Sequence, residues 1–124
     1  MLTDQGITFR RVIVATGRTD LRKGIDGLSA HVRLHYGMDP LEEDTLFLFC
    51  GTRKDRLKGL LWCSDRFILL YIRLSNGHFK WPRNKDEARR ITKEEFIRLM
   101  DGFSIESGIV RKEEVTTKKS GNKR

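Results

Sequence analysis

Thr45-Leu46-Phe47-Leu48-Phe49-Cys50 is followed, after a polar connection from Gly51 to Arg56, by an apolar run from Leu57 to Cys63 and, past Ser64-Asp65, by another from Phe67 to Leu74. Each run is too short for a typical globular helix and too rich in aromatic and β-branched side chains to favour one; each fits a buried strand. Ser64-Asp65 is a compact turn signal. Asn76-Gly77 is the dipeptide that tolerates the positive φ angles of a type I′ hairpin turn. Beyond it Phe79-Lys80-Trp81 alternates out and back, and Pro82 stops the pairing because it has no amide to donate. Three successive hairpin connections predict an antiparallel meander of about four strands.

Upstream, Val12-Ile13-Val14 within Arg11 to Ala15 predicts a short first strand, broken by Gly17. Asp20, or Thr19 beside it, has the short oxygen-bearing side chain that caps a helix by accepting from a first-turn amide. From there Leu21, Ile25, Leu28 and Val32 recur at the spacing of an amphipathic helix, which Gly37 and Pro40 end. Glu42-Glu43-Asp44 reads as a solvated turn. Downstream, Thr92 with Glu95 forms a capping-box pattern ahead of the apolar Phe96, Leu99 and Met100, and Gly102 closes that short helix. The fold class is therefore α+β: an antiparallel sheet, a meander of about four strands plus a short N-terminal strand, with one main helix packed on it and a short C-terminal helix. The chain of 124 residues divides into one domain over 1–110 and a basic tail over 111–124 that reads as disordered.

The formal net charge of +8 is unevenly placed. Residues 111–124 hold six basic and two acidic side chains, and residues 53–90 hold eleven against four. The densest piece is Arg53-Lys54-Asp55-Arg56-Leu57-Lys58, where a connection enters a strand; alternation puts Arg56 and Lys58 on one face. Such a cluster can bind phosphate through charge and counterion release, without sequence specificity. Trp62, Tyr71, Phe79 and Trp81 are interleaved aromatics that can stack on bases or fill the core. Equally, charge along a strand keeps sheet edges from pairing.

Cys50 and Cys63 read as reduced thiols, and His31, His35 and His78 have no cysteine pair at finger spacing, so no zinc site, other metal or cofactor is expected. His31 and His35 lie one helical turn apart. No apolar run reaches the roughly 18 residues a membrane span requires, and the start is too polar for a secretory signal, so a cytoplasmic protein with no membrane partner is expected. Catalysis is not expected. Asp20 is accounted for as a cap, Asp26 can pair with Arg22 one turn earlier, and no carboxylate stands beside Lys58 at strand alternation to complete the metal site that Asp55 would need in a nuclease.

Gly17-Arg18-Thr19-Asp20-Leu21-Arg22-Lys23-Gly24-Ile25-Asp26-Gly27-Leu28 resembles the opening signature of the TnpB, or Orf2-like, accessory proteins of the IS66 insertion-sequence family. Phe47-Leu48-Phe49 with Arg53 to Trp62 resembles that family's central block, and Arg73-Leu74, Gly77 and Phe79-Lys80-Trp81-Pro82 its third. Cys50 and the longer basic tail depart from the pattern. The resemblance implies a non-catalytic role in transposition beside a large transposase that carries the catalytic carboxylates. By position it transfers the basic residues Arg22, Lys23, Arg53, Lys54, Arg56, Lys58 and Lys80 as nucleic-acid-binding candidates. The partners expected are DNA at the element ends and the transposase of the same element, and a homo-oligomer is compatible with the sequence. Three readings follow: a DNA-binding accessory module, a subunit that docks on the transposase without touching DNA, and, as a minor alternative, a metal-dependent nuclease around Asp55 and Lys58.

Overall fold

In the computed structural model, which describes residues 8–105, five strands and two helices follow in the order β1 (Arg11–Ala15), α1 (Ile25–His35), β2 (Thr45–Cys50), β3 (Arg56–Cys63), β4 (Arg66–Arg73), β5 (Ala88–Ile91) and α2 (Lys93–Met100). The strands form one sheet in the order β4-β3-β2-β1-β5. β1 and β2 are parallel, Val12 opposite Leu46 and Val14 opposite Leu48, and the other pairings are antiparallel. A parallel pair needs a crossover, and α1 supplies it.

Every residue of β2 is buried, because both faces of the central strand are covered. Phe47 and Phe49 pack with Ile13, Ala15 and Leu60 under α1, whose Leu28 and Val32 are fully buried. On the opposite face Leu46, Leu48 and Cys50 pack with Val12, Val14, Leu57 and Leu61 against α2, through Leu99, and against the rings of Phe79 and Trp81. The sheet is thus the middle of three layers, one helix to each face. The α+β class stands, with a mostly antiparallel sheet, one main helix and a short C-terminal one. The capping box of α2 is formed: the Glu95 amide donates to Thr92 Oγ1 at 3.1 Å, and the Thr92 amide to Glu95 Oε1 at 2.9 Å.

Two local expectations are corrected. Phe79-Lys80-Trp81 is not a strand. The segment after β4 leaves the sheet edge and crosses to the far side, held by Phe79 N–H to Lys54 O at 2.7 Å and Trp81 Nε1 to Ala15 O at 2.9 Å. Its alternation buries two rings against loops and strand ends, so the same periodicity serves an extended crossing. The continuous meander is β2-β3-β4, and the remaining strand is β5, whose Ala88 and Val14's partner Arg89 pair antiparallel with β1. Asp20 is not the cap of α1. The helix starts at Ile25 after an extended Gly24 with no side-chain cap, while Asp20 Oδ1 accepts from the Arg22 amide at 3.0 Å and closes a local turn. A short carboxylate reaches the amide two residues on before any helix has begun. The tail over 111–124 lies outside the described residues, so the division at residue 110 is an expectation only.

Candidate nucleic-acid interface

The strand directions gather three connections at one end of the sheet. Residues 16–24 leave the carboxyl end of β1, residues 51–55 that of β2, and residues 74–87 join the carboxyl end of β4 to the start of β5. Together they carry eight basic and four acidic side chains. At the opposite end, residues 36–44 and 64–65 carry five acidic side chains, of which Asp44, Glu42 and Asp65 are ion-paired to Arg10, Arg11 and Arg66. The surplus of positive charge therefore lies at one end of the sheet.

On the α1 face of that basic end, beside the segment that leads into the helix, lies an open depression of about 610 Å3 lined among others by Asp20, Arg22, Arg53, Arg56, Lys58 and Tyr71. Arg56 and Lys58 share this face, as alternation predicts, with Tyr71 directly opposite Lys58 and Arg73 opposite Arg56 on β4. Lys58 is positioned from two sides: its Nζ donates to Lys23 O at 3.0 Å and sits 5.9 Å from the centre of the Tyr71 ring. Asp55 lies between two guanidiniums, 2.9 Å from Arg56 Nε and 3.3 Å from an Arg53 nitrogen, and the Arg56 hydrogen bond holds its carboxyl below the usual range. Arg22 binds Asp20 at 2.9 Å rather than Asp26, and that hydrogen bond depresses the Asp20 carboxyl strongly.

Five of the seven sequence candidates thus meet at one corner, Arg22, Arg53, Arg56 and Lys58 lining the depression and Lys54 beside it, against two carboxylates, Asp20 and Asp55, whereas Lys23 offers the corner its carbonyl and lays its side chain along α1 over Gly27. Lys80 is exposed on the crossing segment, next to the Phe79 amide that binds the Lys54 carbonyl, beside the corner rather than in it. Of the four aromatics, Phe79 and Trp81 are core, and Trp62 is half-buried edge-to-face on Phe67 at 4.9 Å. Tyr71 alone of the four is largely exposed, at 52 %, and it stands in the corner.

Sequence reasoning passed over Arg83. It is half-buried and donates to Gly17 O at 2.9 Å and to Gly51 O, clamping two of the three basic connections together. Only its charge was visible in the chain, since its partners are backbone carbonyls from distant segments. Thr16 similarly ties the third connection down through the Lys85 and Glu87 carbonyls. At the far end of α1, His31 and His35 do face the same way, their rings stacked at 4.7 Å. His35 Nε2 and Tyr36 OH each lie 2.6 Å from an Asp86 oxygen, which lowers the Asp86 carboxyl, and burial lowers the His31 imidazole.

The nuclease arrangement is not assembled: Asp55 faces Arg53 and Arg56, and Lys58 is turned to the Lys23 carbonyl. Among the described residues no group of three or more His, Cys, Asp or Glu is placed to hold a metal ion. Cys50 is buried and Cys63 half-buried, both unpaired, and burial raises both thiols. No described helix is long and apolar enough to cross a membrane.

Comparison with known proteins gives a family match over residues 10–108, to the model described as IS66 Orf2 like protein. Two curated relatives come from Sinorhizobium fredii: the uncharacterized protein y4jC, 38% identical over 93 residues covering 75% of this chain and 79% of the relative, and the uncharacterized protein y4hO, 33% identical over 94 residues covering 75% and 80%. No solved structure matches the chain.

Proposed function

The chain belongs to the IS66 Orf2-like family, and from that premise we propose that it is a non-catalytic accessory of insertion-sequence transposition that binds DNA at the element ends through its basic corner. The observation that supports this reading is the convergence of four cations, Arg22, Arg53, Arg56 and Lys58, and one exposed tyrosine from three separated segments onto one open depression, with Lys54 beside it. Lysine and arginine there meet phosphate oxygens, which fixes position on the duplex without reading bases. An open, shallow shape suits a continuous backbone better than a small enclosed substrate. Lys80 extends the same charge beyond the corner.

A gel-shift titration against element ends and random duplex, at two salt concentrations, tests the proposal. Binding that weakens steeply with salt is expected, and no binding to either duplex at low salt overturns it. The second reading, docking on the transposase, is favoured by one observation. The short α2 only partly covers its face of the sheet, leaving a groove lined by Phe9, Val12, Ile91, Phe96 and half-exposed Ile97, with Arg10 and Lys93 at its rim. Co-purification with the transposase after complete digestion of DNA is the outcome that would favour it.

A further inference from the structure

The sheet has two edges, and they are unlike. β5 is four residues long and bears Arg89 and Arg90, which is how natural edges are kept from pairing. β4 is eight residues long, pairs with β3 along its whole length, and reads Arg-Phe-Ile-Leu-Leu-Tyr-Ile-Arg, with no charge, glycine or proline between its ends. Its Phe67, Ile68, Leu69, Leu70 and Ile72 are only half-buried, and Tyr71 is exposed. The Leu74 amide donates to Asp55 O at 2.7 Å in the same register, so the even-numbered residues of β4 face β3. The N–H and C=O groups of Phe67, Leu69, Tyr71 and Arg73 therefore point outward, and among the described residues no hydrogen bond to them is formed. A long, straight, apolar edge of this kind is a template for another strand.

We propose that β4 is the seam of a symmetric homodimer, in which two copies join edge to edge as one antiparallel ten-stranded sheet with Leu69 on the two-fold axis. Hydrogen-bond parity narrows the register. Outward groups meet only outward groups, so odd-numbered residues oppose odd-numbered ones, and the arrangement that would set Arg66 against Arg73 of the second copy is forbidden. With Leu69 opposite itself, Phe67 faces Tyr71 of the other copy, a favourable aromatic pair on the α1 face. The same register brings the exposed Asp65, ion-paired with Arg66 at 2.8 Å within its own copy, to Arg73 of the other copy, a residue with no salt bridge among the described residues. Centring on Leu70 instead would place Phe67 against Arg73 and leave Asp65 unmatched.

Charge favours a second copy over an unrelated strand. Antiparallel pairing lays the Ser64-Asp65 turn of each copy, at the end where acidic side chains and arginines are matched, alongside the surplus of basic side chains at the other's opposite end. The two-fold axis runs perpendicular to the sheet, so both α1 faces lie on the same side. The two Tyr71 positions are then offset by four residues along the seam, about 14 Å. On the DNA-binding reading, to which this consequence alone belongs, the dimer presents two basic corners on one face. The dimer itself does not depend on that reading.

The test is sedimentation of the full chain without DNA, followed by cross-linking in a Cys63→Ser background. A dimer is expected, and the Leu69→Cys variant is expected to oxidise to a disulfide-linked pair, since opposed residues in a hydrogen-bonded pair have Cα atoms about 5.5 Å apart. Leu70→Cys is expected to remain unlinked. Arg73→Asp, at an exposed position, is expected to weaken the dimer about tenfold or more, and the Asp65→Arg, Arg73→Asp double variant to restore it. A monomer at about 100 μM overturns the proposal, as do cross-linking through Leu70 rather than Leu69, and Arg73→Asp with unchanged dimerisation. Loss of DNA binding with the dimer intact would count against the DNA reading alone.

Discussion

Replacing Arg53, Lys54, Arg56 and Lys58 together by glutamine removes four of the five cations at the corner while keeping polar side chains there. Asp20 and Asp55 offset two of the five, so about three phosphate equivalents are available to DNA, and the corner's share of the salt slope is about −2.7 on a log–log plot. Between 50 and 200 mM salt that share weakens binding about 40-fold. In the fourfold variant one cation and two carboxylates remain, and the share falls to near zero. Because residues 111–124 are present in both proteins, their contribution cancels in the difference. The assay is fluorescence anisotropy with a labelled duplex at four salt concentrations, with circular dichroism to verify the fold. None of the four side chains is fully buried, so folding is expected to survive, with some loss from the Lys58 to Lys23 carbonyl bond. A slope difference below about one, in a folded variant, would refute the assignment of phosphate contacts to this corner.

Asp55→Asn separates electrostatics from catalysis. Ion pairs that water still reaches contribute little to stability, and Asp55 with Arg56 is half-buried, so freeing Arg53 and Arg56 should cost only a little stability, tighten DNA binding and steepen the salt slope by about 0.9; a nuclease built on Asp55 would instead lose its activity. Stability should fall as pH drops below 6.5, because the burial that lowers the His31 imidazole makes the unfolded chain take up a proton that the folded chain resists. The depressed Asp86 carboxyl adds a second loss below pH 3.8, again because the unfolded form protonates first. Urea denaturation at pH 7.5, 6 and 5 reads the first effect, and His31→Phe, which keeps a ring in the stack, should flatten it. Thr92→Ala breaks the capping box of α2 and should cost about 1 kcal/mol in the same assay. A thiol reagent should label half-buried Cys63 in the native protein and reach buried Cys50 only on unfolding; equal rates would show that β2 is not the closed centre of the sheet.

The strands β1 to β4 and both helices were legible because each carries its own periodicity, and α2 even its cap. β5 was not. Ala88-Arg89-Arg90-Ile91 buries only Ile91 and is a strand because β1 has an open edge for it, a reason held in β1 and the crossing segment rather than in those four residues. Phe79 to Trp81 misled for the converse reason, since alternating burial looks alike whether the neighbour is a strand or a loop. The site shows the same division. Arg53, Arg56 and Lys58 announced themselves by density and alternation within one short stretch. Tyr71 could be listed as an aromatic, yet its position across from Lys58 depends on the β3-β4 register. Arg83 works through backbone carbonyls of Gly17 and Gly51, contacts that exist only once three loops have been brought to one end.

That convergence follows from topology. A parallel β1-α1-β2 unit must place both strand exits and the helix start at the same end of the sheet, as in open α/β sheets, where ligands collect beyond the carboxyl ends of the strands. Here the hairpin β3-β4 is added with its open end there too, and β5 runs back from it, so every connection of the basic group is obliged to meet the others. At the opposite end Asp44, Glu42 and Asp65 are matched by Arg10, Arg11 and Arg66, so the unmatched charge is the basic surplus. A chain under no constraint beyond solubility would have little reason to gather like charges at one end, because they cost stability by self-repulsion. A partner of negative charge supplies the reason. Antiparallel association through β4 supplies a further one, since each copy then sets its Asp65 turn beside the other's basic loops.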